Sequence, residues 1–196
     1  MSKTAILILA AGESKRFGEP KQLLPYKKNT LLTHTIEQVS PIQRSDVFVV
    51  IGAHFSEVFQ SIRGRAITIL KNNNWENGMG SSLSKGIEFI RNKNSYDRVL
   101  VTLGDLPLMT TVHYEELISL SDTSKKRIIL TDYDSVTGVP SVFDKSLFNE
   151  LSLLDDDEGA KHVVEKYKKE VLKCTSKTPY FDVDTKEAYE KLLELS

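Results

Sequence analysis

The chain has 196 residues, 40% hydrophobic and 27% charged, which suits one globular α/β domain spanning residues 1–196 with a sizeable core. Lys plus Arg number 26 against 27 Asp plus Glu, a net charge of −1, so no bulk field recruits nucleic acid or an anionic membrane. The single cysteine, Cys174, excludes an intrachain disulfide, and no CxxC or Cys/His sequence cluster offers a zinc site.

The first residues already read as a strand, without the basic segment, apolar core and cleavage site of a leader. No apolar run reaches about 18–20 residues, so a cytoplasmic protein is expected. Residues 4–11, TAILILAA, are continuously apolar after Thr4, as in a parallel strand covered on both faces. The strand runs into a loop bounded by Gly12 and Gly18, with Lys15 and Arg16 inside it and Pro20, Lys21 and Gln22 behind. Gly12 is predicted to let the backbone turn and approach a ligand closely. A basic, glycine-flanked loop at a strand end is a natural seat for a phosphate chain. It is not a Walker loop, because five residues separate the glycines and Lys21 comes three after Gly18; nor is it a dinucleotide fingerprint, because Gly12, Ser14 and Phe17 fall at the three glycine positions. Arg16 offers a planar fork to phosphate and Lys21 a compact charge. The plain alternative is a tight solvated turn with incidental charges.

Apolar residues at 31, 32, 36 and 39 predict a helix that Pro41 ends. A strand from Asp46 to Gly52, a helix over 54–63 and a strand over 66–70 follow, and this βαβαβ order predicts a parallel sheet with ligands at the carboxyl ends of its strands. The next segment runs from Asn72 to Leu83: Gly78 and Gly80 read as a hinge, and Ser81 or Ser82 as the cap of a helix through Leu83, Ile87 and Ile90. Beyond capping, a helix start with exposed hydroxyls suits a pyrimidine edge or a phosphate. GxSxG is absent, so no serine-hydrolase elbow is supported. A buried strand over 99–103 then delivers Asp105 beside Gly104, with Pro107 expected to start a helix. Alone, Asp105 would be an ordinary cap; on the same sheet edge as the basic loop it is a carboxylate able to hold Mg²⁺ with substrate phosphates.

A helix over 112–120, a strand over 127–131, a turn at Gly138-Val139-Pro140 and a helix over 145–154 are expected next. The run Asp155-Asp156-Asp157-Glu158 reads as a solvated, helix-capping acidic turn. Near the end, alternation places Asp182 and Asp184 on one side of an extended segment, and Thr185 or Asp184 caps a helix over 186–195. Histidines 34, 54, 113 and 162 show no HxxxH spacing and read as surface or helix residues rather than ligands.

LAAGxSxRFGxPKQLLP, residues 9–25, resembles the signature loop of the molybdenum cofactor cytidylyltransferase family, within the MobA-like NTP transferase group. NxxWxxGMGSSL resembles that family's base-binding segment, GDxP at 104–107 its metal-binding segment and DVDTxE at 182–187 its closing acidic motif. Gly138-Val139-Pro140 resembles its Gly-His-Pro-type turn with Val139 in place of the polar residue; Asp157, Gly159 and Ala160 match its GDxGAR stretch, with Asp156 replacing Gly and Lys161 replacing Arg.

The resemblance implies a three-layer α/β sandwich of the nucleotide-diphospho-sugar transferase, glycosyltransferase-A-like type, with a mostly parallel sheet. It implies transfer of CMP from CTP to the terminal phosphate of molybdopterin with release of pyrophosphate. Leu9, Ala10, Ala11, Gly12, Ser14, Arg16, Lys21, Gly80, Ser81 and Ser82 would bind the nucleotide, with Arg16, Lys21 and Asp105 catalytic. Asp105, Asp184 and Asp182 would hold Mg²⁺, and Gly138, Pro140, Asp157 and Lys161 would meet the acceptor. Two further readings stand beside it: a related nucleotidyltransferase using GTP or a sugar-phosphate-type acceptor, which Leu106 and Val139 keep open, and a non-enzymatic partner delivering cofactor to a molybdenum hydroxylase.

Overall fold

A computed structural model describes residues 2–134, 136–155 and 157–195. Strand β1 (Thr4–Ala10) is buried along its whole length, as an apolar strand between two layers must be. A 3-10 turn (Lys21–Leu23) and a hairpin of β2 (Pro25–Tyr26) and β3 (Asn29–Thr30) lead into helix α1 (Leu31–Val39). Thr30 and Thr33 start α1 by exchanging side-chain-to-backbone hydrogen bonds, which satisfies two of the amides a helix start leaves open. Then come β4 (Ser45–Ile51), α2 (Phe55–Ile62), β5 (Thr68–Lys71), α3 (Met79–Lys93) and β6 (Arg98–Leu103). β1 lies between β4 and β6, parallel to both, and β5 runs parallel to β4.

The second half supplies α4 (Thr111–Thr123), β7 (Ile128–Asp132), β8 (Thr137–Asp144), α5 (Phe148–Leu151), α6 (Lys161–Lys166), β9 (Val171–Thr175) and α7 (Lys186–Glu194). β8 is antiparallel to its neighbours β6 and β7, while β9 is parallel to β7, so the sheet has seven strands in the order β5-β4-β1-β6-β8-β7-β9. The alternation of β1 sends its residues into two layers. Ile6, Ile8 and Ala10 pack with Leu32, Ile36, Val58 and Leu117, whereas Ala5, Leu7 and Leu9 pack with Leu83, Ile87, Ile90 and Leu151. A third apolar cluster joins Phe17 of the first loop, Leu24, Tyr26 and Leu31 to Val183 and Leu192 near the C-terminus.

Three expectations are corrected. Pro107 starts no helix: Leu106 and Met109 are drawn into the core, with a turn closed by Met109 N–H donating to Leu106 O (3.2 Å), and α4 begins only after Thr110, whose hydroxyl accepts from the His113 amide. Gly138-Val139-Pro140 is no turn but part of β8, beside a register shift at Leu130/Thr131. The helix expected over 145–154 is a 3-10 turn (Lys145–Leu147) followed by the single turn of α5. Among the described residues no helix is long and apolar enough to cross a membrane.

Candidate active site

The carboxyl ends of β1 and β6 open into a cleft of about 850 Å³, the size of small-molecule sites. Its walls come from the loop after β1, the start of α3, the end of β6 and the C-terminal segment. The first loop is tightly organised. The Phe17 and Gly18 amides both donate to Ser14 O (2.9 and 3.1 Å), Ser14 itself takes a positive φ of 60°, and its hydroxyl accepts from the Lys21 amide (3.2 Å). Gly12 does not use its freedom to turn, but it is exposed to the cleft, where a Cβ would meet no protein atom within 4 Å. Gln22, buried, donates to the carbonyls of Ala10 (3.3 Å) and Gly12 (2.9 Å), tying the 3-10 turn back to the strand end.

Phe17 fixes the far side of this loop against the C-terminal segment. It packs with Val183 and Leu192 and meets the Tyr189 ring edge-on (centroids 6.1 Å). The same packing delivers Asp182 and Asp184 to Lys21. Lys21 Nζ binds Asp105, lies 2.8 Å from Asp184 Oδ1 and 3.7 Å from Asp182 Oδ1; Arg16 pairs with the other oxygen of Asp184. Burial works against the Lys21 ammonium, yet the charge and hydrogen bond of Asp105, with Asp184 and Asp182 behind them, hold it above its ordinary pKa. Burial first, and then the neighbouring charges of Asp105 and Asp184, push Asp182 up to about 6 against the pull of Lys21. Asp184 goes the other way: burial opposes ionisation, but the Lys21 hydrogen bond and charge and the Arg16 charge win and lower it.

Asp105, Asp182 and Asp184 each offer a carboxylate oxygen, all within 4.8 Å of one another, and Asp182 Oδ1 is buried without a hydrogen-bond partner. A hard, all-oxygen donor set with an orphaned carboxylate oxygen fits a divalent cation such as Mg²⁺ or Mn²⁺.

Across the cleft, α3 starts at Gly78 with no side-chain cap, so its first amides remain available. Contrary to expectation, Ser81 and Ser82 are buried: Asn72 Nδ2 donates to both hydroxyls (3.0 Å each), and the Ser81 hydroxyl turns back to the carbonyls of Asn74 and Gly78 (2.9 Å each). Ser82 lines the cleft, whereas Gly80 and Ser81, also expected to bind the nucleotide, are buried and do not line it. Gly78 adopts φ 95° with Asp157 pressed against it, where a Cβ would fall 1.9 Å from Asp157 Oδ1; this contact brings Asp157 to the rim.

The structure thus gathers Leu9, Ala10, Ala11, Gly12, Ser14, Arg16, Lys21, Ser82, Asp105, Asp157, Asp182 and Asp184 around one cleft. It does not bring Gly138, Pro140 or Lys161 there. Gly138 and Pro140 lie on β8, and Lys161 is exposed and pairs with Glu158 (3.3 Å). Asp156 lies outside the described residues. Gln22 and Asn72 fall inside the sequence motifs but had no role there; the structure gives them one as buried polar residues that tie the strand ends to the loop and to Ser81 and Ser82.

The profile of the MobA-like NTP transferase domain matches residues 6–171. The chain belongs to this family. As a MobA-like NTP transferase it is a nucleotidyltransferase, with the nucleotide-diphospho-sugar transferase fold. It is 30% identical over 198 residues to Nicotine blue oxidoreductase of Paenarthrobacter nicotinovorans, covering 95% of both proteins. It is 26% identical to Bifunctional protein GlmU of Francisella philomiragia, where 80% of this MobA-like chain matches 34% of the larger protein. Among solved structures, Rv0371c of Mycobacterium tuberculosis superposes with a TM-score of 0.87 at 26% identity over 98% of both chains, and a complex of Rv0371c with manganese gives 0.83 at 24% identity over 100% of both.

Proposed function

We propose that this nucleotidyltransferase transfers CMP from CTP to the terminal phosphate of a molybdopterin, with Mg²⁺ on Asp105, Asp182 and Asp184. The observation that carries the reading is the meeting of Lys21 and Arg16 with three carboxylates at the mouth of β1 and β6. Manganese bound to the similar Rv0371c agrees with a divalent ion in this cleft. The family resemblance of the loop supports a molybdopterin acceptor.

In the reaction an acceptor phosphate oxygen attacks the α-phosphorus of the nucleotide, the bond to the bridging oxygen breaks, and pyrophosphate leaves. The acceptor is already an anion, so no protein nucleophile is required; the obstacle is repulsion between two phosphate groups and charge moving onto pyrophosphate. Positioning and electrostatic stabilisation therefore set the rate. Arg16 and the amides of the first loop meet the β- and γ-phosphates, and Lys21, kept charged by its carboxylates, meets the α-phosphate. A bound divalent ion supplies charge neutralisation at the phosphates. The uncapped start of α3, with Ser82, is assigned to the nucleoside, and Asp157, which lines the rim, to the acceptor.

The test is pyrophosphate release with Mg²⁺ and molybdopterin, comparing CTP, GTP, ATP and UTP, alongside Asp105→Asn. The proposal expects release with CTP that depends on the pterin and falls at least a hundredfold in Asp105→Asn while the unfolding transition is retained. Preference for GTP, or release with a sugar phosphate instead, overturns the donor or the acceptor. The Nicotine blue oxidoreductase similarity motivates one more arm, oxidation of NAD(P)H with a heteroaromatic substrate; turnover there without pyrophosphate release would replace the proposal by a redox function.

A further inference from the structure

We propose a second metal site, for zinc or a similar borderline transition metal, formed by His113, Glu116 and Cys174 on the α4 side of the sheet. It is independent of the donor and acceptor in the cleft. His113 and Glu116 stand one turn apart on α4, and Cys174 lies on β9, the edge strand beside β7. One ligand atom from each, nitrogen, oxygen and sulfur, lies within 4.8 Å of the others.

The hydrogen bonds behind His113 fix which of its nitrogens can bind. Thr131, fully buried, donates its single hydroxyl proton to Pro140 O (2.6 Å). Its oxygen therefore accepts from His113 Nε2 (2.9 Å), so in the neutral ring the proton sits on Nε2 and Nδ1 carries the lone pair. That Nδ1 is buried with no hydrogen-bond partner, in a residue only 6% exposed, and Glu116 Oε2 lies 3.8 Å from it. An imidazole anchored through one nitrogen to a hydroxyl, its other nitrogen bare and turned toward a thiol and a carboxylate, has the second-shell arrangement of metal-binding histidines.

Cys174 is itself buried, and Glu116 is half-exposed, with Lys177 3.5 Å from its other oxygen. Zinc on these three residues would require bonds of about 2.0–2.3 Å, and Glu116, the half-exposed one of the three, is the side chain with room to adjust. On binding, the Cys174 thiol gives its proton to solvent and the thiolate becomes the ligand.

The probe is Co²⁺ added to the full-length protein with the absorption spectrum recorded. Thiolate coordination gives a sulfur-to-cobalt charge-transfer band in the near ultraviolet, which the all-oxygen cleft cannot produce. The proposal expects this band to saturate at one equivalent, to persist in Asp105→Asn, to vanish in Cys174→Ser and to be displaced by Zn²⁺. Half-saturation in His113→Gln is expected at about ten- to a hundredfold higher Co²⁺. Absence of the band in the unmodified protein at excess Co²⁺, or its persistence in Cys174→Ser, overturns the site.

Discussion

Lys21 occupies the centre of the carboxylate cluster, so each charge there is set by the others. Asp182 is raised to about 6, and a proton therefore sits on it below that pH. A divalent ion must displace this proton, so affinity for Mn²⁺ is expected to fall about tenfold for each pH unit below 6 and to lose that dependence in Asp182→Asn, as calorimetric titration at several pH values will show. An unchanged slope in Asp182→Asn would place the competing proton elsewhere. The linkage to stability has the opposite sense from a paired acid. Between its ordinary 3.8 and about 6, Asp182 is ionised when unfolded but protonated when folded, so its contribution to stability declines as pH rises through that window and is constant above it. Asp184, lowered by Lys21 and Arg16, contributes stability above the ordinary carboxylate range that is lost as pH falls. Asp105, Asp182 and Asp184 were legible as strand-end or alternating acids matching a known pattern. The roles of Gln22 and Asn72, and the proximity of His113 to Cys174, 61 residues away, were not, because burial and tertiary contact create them.

The core strands were legible for a simple reason: β1, β4 and β6 are buried along most of their length and read as apolar runs at 5–10, 47–51 and 99–101. Their helices followed from the 3.6-residue period. Elements that failed to follow sequence rules are those where tertiary packing overrides local preference, as at Pro107, where Leu106 and Met109 enter the core before a helix can begin, and at Gly138-Val139-Pro140, where Gly138 and Ser141 pair with β7 and the Tyr133 and Thr131 hydroxyls bind the carbonyls of Val139 and Pro140 between them. The contact of α3 with β1 can be tested directly. Gly86 lies over Leu7, whose methyls would be 2.5 Å from a Cβ at that position, and Leu7 is fully buried. Gly86→Ala is expected to destabilise by about 1–3 kcal/mol through overpacking, outweighing the roughly 1 kcal/mol that alanine gains over glycine in a helix. Urea unfolding reads this as a lower midpoint at unchanged slope. A raised midpoint would mean that Leu7 rotates into free space and that α3 is not in close contact with the strand.

Four separate parts of the chain meet in the cleft, and their charges are paired with one another: Lys21 and Arg16 with Asp105, Asp182 and Asp184. Under the proposed function a nucleoside triphosphate competes for the two cations and a metal for the three carboxylates, so each ligand exposes groups the other needs. Binding of the two must then be positively coupled, and by equal factors in both directions. On that proposal CTP without metal meets carboxylates still facing the cleft, and metal without CTP meets Lys21 still inside the cluster; each alone is expected to shift the melting temperature little. Together, with the metal–nucleotide complex taken as one ligand at about 100 times its dissociation constant, they add about 2.7 kcal/mol. For a chain of this size that corresponds to roughly 5–10 °C, at about 2–4 °C per kcal/mol. Scanning calorimetry with CTP, Mg²⁺, both, and CTP plus EDTA separates the cases. A full shift with CTP in EDTA would mean that the triphosphate takes Lys21 and Arg16 without any need to neutralise the acids, and the coupling would then lie outside this cluster.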